Sequence, residues 1–147
     1  MEKAEFVYVT YISSTPEKVW KALTEPGITM KYWHHVNVSD WKKGSRWEHQ
    51  ESDKDKEILL LGKIIESTPP RRLVMTWAEP ADEAHEDKHA RVTFEIEEFR
   101  GIVKLTVTHD HLDRDSEMLK SVSVGWPKVL SSLKSLLEAG KPLPRLW

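Results

Sequence analysis

From Arg91 to Glu98 apolar and polar residues alternate, with Val92, Phe94 and Ile96 on one side and Arg91, Thr93 and Glu95 on the other. After a turn at Arg100-Gly101 the alternation resumes through Asp110, grouping Val103, Leu105, Val107 and His109 against Lys104, Thr106 and Thr108. A period of two is that of a half-buried strand. Glu5–Ile12, rich in aromatic and β-branched residues, predicts another strand. Val36–Ser39, Ser45–Glu51, the almost wholly apolar Ile58–Glu66 and Leu73–Ala78 complete the set. Turns are expected at Lys43-Gly44 and Pro69-Pro70-Arg71-Arg72, and acidic, aperiodic Glu79–His89 reads as a solvated hairpin loop.

Helical spacing takes over in three places. Ser13-Ser14-Thr15-Pro16-Glu17 combines a hydroxyl cap, a proline at the first helical position and an acid in the first turn, with Val19, Trp20 and Leu23 as the buried face. Thr24-Glu25-Pro26 repeats that signal and predicts a second short helix to about Trp33. Asp113 and Asp115 can cap a short helix through Met118, Leu119 and Val122, which Gly125-Trp126-Pro127 bends or restarts into a long one. Along that last segment Trp126, Val129, Leu130, Leu133, Leu136 and Leu137 form a stripe roughly 120° wide, and Gly140 suits a left-handed stop. Six or seven strands joined by short connections make an antiparallel sheet, covered on one face. The long C-terminal helix is the element large enough to cover it, so the expected class is α+β, a curved sheet wrapped round a helix.

At 147 residues the chain is a single domain with room for a core. Charged residues are plentiful but nearly balanced, with a formal net charge of −2 and no basic stripe interleaved with aromatics, which argues against nucleic-acid binding. There is no cysteine, hence neither disulfide nor thiolate chemistry. No signal peptide and no apolar run of membrane-spanning length stand out, so a cytoplasmic protein without membrane attachment is expected.

Tyr11-Ile12 and Thr15-Pro16-Glu17-Lys18-Val19-Trp20-Lys21-Ala22-Leu23-Thr24-Glu25-Pro26 resemble the opening motif of the activator-of-Hsp90-ATPase-like family, within the START/Bet v 1-like (SRPBCC) superfamily. Tyr32-Trp33, Ser39-Asp40-Trp41-Lys42, Gly44-Ser45, Pro69 to Val74, Val107-Thr108-His109 and the segment from Gly125 to Gly140 continue the likeness in order. The resemblance implies a helix-grip fold with a cavity between the sheet and the terminal helix, and it is nearest to small single-domain bacterial members. The co-chaperone that names the family has a separate N-terminal module that engages the chaperone. Here the pattern starts directly at the grip domain, so direct Hsp90 activation is not expected.

In a grip arrangement the helix residues Trp126, Leu130 and Leu133 face Met75, Trp77, Phe94 and Leu105, while Trp33 closes one end and Trp47 with His49 another. Seven tryptophans are many for this length; singly each is ordinary core filler, but several on inward strand positions look like pocket lining. An empty apolar void of about 300 Å³ would cost roughly 7 kcal/mol, so the interior is either packed with its own Trp and Met side chains or kept open for a guest. The expected guest is an apolar or aromatic small molecule beside Trp126.

His109, inward at a strand end, is the titratable residue of most interest, either hydrogen-bonded within the core or orienting a ligand. His111, two residues on, would point the same way on a continuing strand, whereas His34 and His35 would point apart; with no third ligand at useful spacing, no metal is expected. No cofactor is expected either, and with no Gly-x-Ser-x-Gly elbow and no Gly-rich phosphate loop an enzyme built on those motifs is not indicated. Some grip-fold relatives act as cyclases or aromatases with few side chains, and for such chemistry His109 and then His49 would be the acid–base candidates. A third reading is a chaperone-associated or homodimerising module that uses the Trp147 tail and an exposed Trp41.

Overall fold

Capping chemistry sets the helix boundaries. Thr15 accepts the amide N–H of Lys18 and Pro16 opens α1 (Pro16–Thr24), as its sequence predicts. Its neighbour α2 (Pro26–Tyr32) also starts at a proline but has no side-chain cap. The Thr24 hydroxyl bonds backward to the Trp20 carbonyl instead, because Thr24 is still the last residue of α1. The C-terminal helix α3 (Glu117–Ala139) departs further from expectation. It is one continuous helix through Gly125 and Pro127, and its cap is Ser116, which accepts from the Leu119 N–H. Asp113 ends the last strand and Asp115 has a left-handed backbone, so neither aspartate is placed to cap. Pro127 removes a single ladder bond, which a helix of this length, docked along its flank, absorbs. Gly140 ends it at φ 82°, its N–H on the Leu136 carbonyl, as expected.

The computed structural model describes residues 2–147. Seven strands, β1 (Lys3–Ile12), β2 (Val36–Val38), β3 (Arg46–Gln50), β4 (Ile58–Thr68), β5 (Arg72–Trp77), β6 (Ala90–Phe99) and β7 (Ile102–Asp113), form one antiparallel sheet in the order β1-β7-β6-β5-β4-β3-β2. The 79–89 loop carries two single 3₁₀ turns, at Pro80–Asp82 and Glu86–Lys88. Register shifts at Ala4/Phe6, His49/Gln50 and Ile64/Glu66 are bulges that bend the strands round the helix. Gly62 on β4 lets two strands communicate across a third. The Trp47 indole N–H donates 2.7 Å to the Thr76 carbonyl of β5, over a position where a Cβ would lie 2.0 Å from that oxygen. Only glycine permits that approach.

The concave face carries the core. Leu73, Met75, Trp77, Val92, Phe94, Ile96, Val103, Leu105 and Val107 are all buried, and Trp126, Val129, Leu130 and Leu133 of α3 pack down on them. Leu136 and Leu137 are only partly covered. These four buried helix side chains contribute on the order of 8 kcal/mol. At its C-terminal end the helix is clamped to β1: Lys134 donates to the Tyr11 carbonyl and pairs with Glu138, which accepts the Ser13 N–H. Among the described residues no side chain from Glu117 to Gly125 is hydrogen-bonded or ion-paired to the sheet, and the molecule opens along that stretch.

Candidate functional site

A cleft of about 480 Å³ lies between the N-terminal half of α3, the end of α2 and the strands β3 to β5. Its walls are Trp33, Trp77 and Trp126, with Leu59, Leu60, Met118, Val122 and Val129 half-exposed or buried around them. Glu79, Glu117 and Ser121 stand at the exposed rim. Gly125 lines it as well, and a Cβ there would meet nothing within 4 Å. Apolar walls with few polar groups in a volume of this size fit a small organic molecule.

Local structure explains the aromatic end. Trp33 caps α2 at its C-terminus, so its ring turns under the helix and meets Trp126 edge-on at 5.5 Å. Trp77 is the last residue of β5 and lies 5.6 Å from Trp126 and 5.0 Å from Trp47. Phe94 closes on Trp126 from β6 at 5.7 Å. Quadrupolar rings favour such tilted contacts.

Of the residues singled out from sequence, Trp33, His49, Trp77 and Trp126 line this cleft. Trp47, Met75, Phe94, Leu105, Leu130 and Leu133 are brought together in the packed interior behind it. His109 is fully buried there. The Trp126 indole N–H donates to its Nδ1 at 3.0 Å, and Trp77 meets the ring edge-on at 5.3 Å. Because Nδ1 accepts, the proton of the neutral ring sits on Nε2, a buried atom with no partner. Desolvation pushes the imidazole pKa down to about 4, against a smaller upward pull from Asp110. His111 does not join it: φ is 57° there, the side chain is exposed, and the irregular pairing of β1 with this end of β7 turns it outward.

At the polar end of the cleft, sequence reasoning found His49 but missed its partners Asn37 and His35. β2 and β3 pair Asn37 with His49, and the His49 Nδ1 lies 2.6 Å from the Asn37 Oδ1. The His49 Nε2 faces the His35 Nδ1 at 3.1 Å, and the His35 Nε2 looks toward Glu51 at 3.9 Å. Burial, then the neighbouring His35, holds the His49 pKa down to about 3. Burial also lowers that of His35; Glu51 opposes the shift, while Arg145 and His34 add to it. His34 and His35 do part as expected, but at a turn, not on a strand: His34 adopts φ 69° and packs against Trp147. Nothing local in the sequence marks His35, because its partner lies fourteen residues away across a strand pair.

The tail returns to the domain. Trp147 donates its indole N–H to the Trp33 carbonyl at 3.1 Å, bracing the tryptophan that forms the cleft wall. Trp41, expected exposed, is half-buried against the core. Among the described residues no helix is long and apolar enough to cross a membrane.

A curved antiparallel sheet closed round a C-terminal helix, open at one end of that helix, defines a helix-grip protein. The chain belongs to the family described as activator of Hsp90 ATPase homolog 1-like protein, whose model matches residues 13–138. Comparison with curated protein sequences gives no match. Among solved structures it is similar to the Aha1 dimer from Colwellia psychrerythraea, with a TM-score of 0.77 and 20% identity over 94% of this chain and 98% of that one. It is also similar to an Hsp90 activator from Plasmodium falciparum, with a TM-score of 0.74 and 21% identity over 90% and 95%. A third neighbour is DynU16, a protein in the dynemicin biosynthetic locus, with a TM-score of 0.73 and 18% identity over 94% of this chain and 48% of that one. At these identities the likeness shows the fold alone.

Proposed function

We propose that this protein binds an apolar or aromatic small molecule in the cleft beside Trp126. The observation that carries the reading is the cleft itself: about 480 Å³ walled by Trp33, Trp77 and Trp126 beside the buried cluster under α3. Leu59, Leu60, Met118 and Val122 keep apolar surface partly in water there, at a cost that a bound apolar guest would offset. Gly125 adds to it. Glycine inside a helix costs roughly 0.5–1 kcal/mol relative to alanine, and here it leaves the cleft unobstructed from the helix side. The occurrence of the same fold in a protein of a biosynthetic locus is in keeping with small-molecule handling.

Hydrophobic fluorophores titrated against the protein should quench tryptophan emission saturably. Gly125→Leu should abolish that binding by filling the cleft, while stabilising the fold by about 0.5–1 kcal/mol through helix propensity. No saturable binding across a broad panel, or undiminished binding by Gly125→Leu, would sink the reading.

Self-association is a second reading, supported by one observation. Val7, Val9 and Tyr11 are exposed on β1, the edge strand, with Phe99 5.8 Å from Tyr11. A single monomeric mass in light scattering at high concentration would dispose of it.

A further inference from the structure

The hydrogen-bond chain Asn37–His49–His35 dictates where protons sit at the polar end of the cleft. The Asn37 amide is oriented by its Nδ2, which donates to the Leu23 carbonyl at 3.5 Å, so Oδ1 faces His49. That oxygen only accepts, and therefore the His49 Nδ1 must carry the proton. A neutral imidazole then has its lone pair on Nε2, which requires the N–H of His35 Nδ1 as donor across 3.1 Å. His35, neutral in turn, is left with a bare lone pair on Nε2. Glu51 stops 3.9 Å from that atom, too far for a hydrogen bond, and among the described residues the atom has no other partner and is not sealed from solvent. Two buried side chains thus serve to present one acceptor in the cleft.

Resting on the small-molecule reading above, we propose that His35 Nε2 is the hydrogen-bond acceptor by which the cleft selects planar aromatic molecules bearing a hydroxyl donor, such as phenols and enols. Planarity follows from the walls, where the indole faces and edges of Trp33, Trp77 and Trp126 suit a flat ring. The hydroxyl follows from the lone pair, which a guest without a donor would leave buried and unpaired. Glu79, Glu117 and Ser121 at the rim stay exposed, so their hydration competes with any guest and they discriminate little. His49 and Asn37 act through His35 and are positioning residues. Trp33, whose ring lies tilted with its centroid 4.8 Å from that of His49, packs against the pair.

The test compares 2-naphthol with its methyl ether, 2-methoxynaphthalene, which has the same ring system but no donor, by chemical-shift titration of the full chain. The naphthol should bind about tenfold more tightly. His35→Leu should abolish the preference, so that naphthol and ether bind that variant with equal affinity. Equal affinities in the unsubstituted protein, both saturable, would overturn the acceptor role while the cleft reading stands. If neither molecule binds, the cleft reading falls and takes this one with it. Should His35→Leu not fold, nitrogen-resolved long-range NMR of the histidine rings in the unsubstituted protein decides. Protons on Nδ1 of both His35 and His49 support the proposal, and a proton on His35 Nε2 refutes it.

Discussion

Two buried neutral histidines make this protein sensitive to mild acid, and the structure sets the size of the effect. His109 is fully buried and accepts a hydrogen bond from Trp126 at Nδ1, so protonation there would replace a bond with a clash of donors. His49 is buried with Nδ1 on Asn37 and Nε2 on His35, so protonating its Nε2 would set two donors face to face. Burial depresses the two pKa values to about 4 and about 3, against an ordinary value near 6.5. A depressed folded-state pKa means that the unfolded chain binds the extra protons. The stability is therefore fully present above about pH 6.5 and is lost as pH falls through the window down to those values. At about pH 5 each histidine has given up roughly 1.5 pH units of linkage, or about 2 kcal/mol, and the pair about 4 kcal/mol. Urea unfolding followed by tryptophan fluorescence at about pH 7.5 and 5 measures this. The loss should be about 4 kcal/mol greater in the unsubstituted protein than in a His49→Gln/His109→Gln variant, in which neither position titrates. Equal pH dependence in the two proteins would show that these histidines are not held neutral by the fold.

Other substitutions probe the packing. Gly62→Ala should destabilise by about 3 kcal/mol or more, since the new methyl meets the Thr76 carbonyl and the Trp47 indole nitrogen; a normal thermal melt would refute the close approach. Leu130→Ala, at a fully buried position under the helix, should cost roughly 2–5 kcal/mol in denaturant melts. Trp126→Phe removes the donor to His109 and strands a buried nitrogen, for a loss of about 1–3 kcal/mol. Its near-UV circular dichroism should weaken as the tilted contacts with Trp33 and Trp77 go.

Strand and helix positions were legible wherever a local rule governs them. The alternation in 91–98 and 102–110 marks β6 and β7, and Thr15-Pro16 and Gly140 mark a helix start and stop. The tryptophans of the cleft were legible as a set, since each sits at an inward or capping position. His35 was not. Its role depends on a turn with a left-handed His34 and on the register that pairs Asn37 with His49, and neither leaves a periodic trace. The continuous α3 escaped as well, because glycine and proline are strong local breakers that long-range docking overrode.

What the sequence determined by itself is the grip: periodicity and capping are properties of neighbours in the chain, and they specify an antiparallel sheet and the helix it receives. Where that grip stays open, and which nitrogen faces the opening, only the tertiary structure decided. Both depend on groups apart in sequence: a clamp between Ser13 and Glu138 at one end of the helix, and at the other a proton chain that runs from Asn37 to His35 through His49 of another strand. Hydrogen-bond direction in such a chain is settled by three-dimensional neighbours, one lone pair at a time.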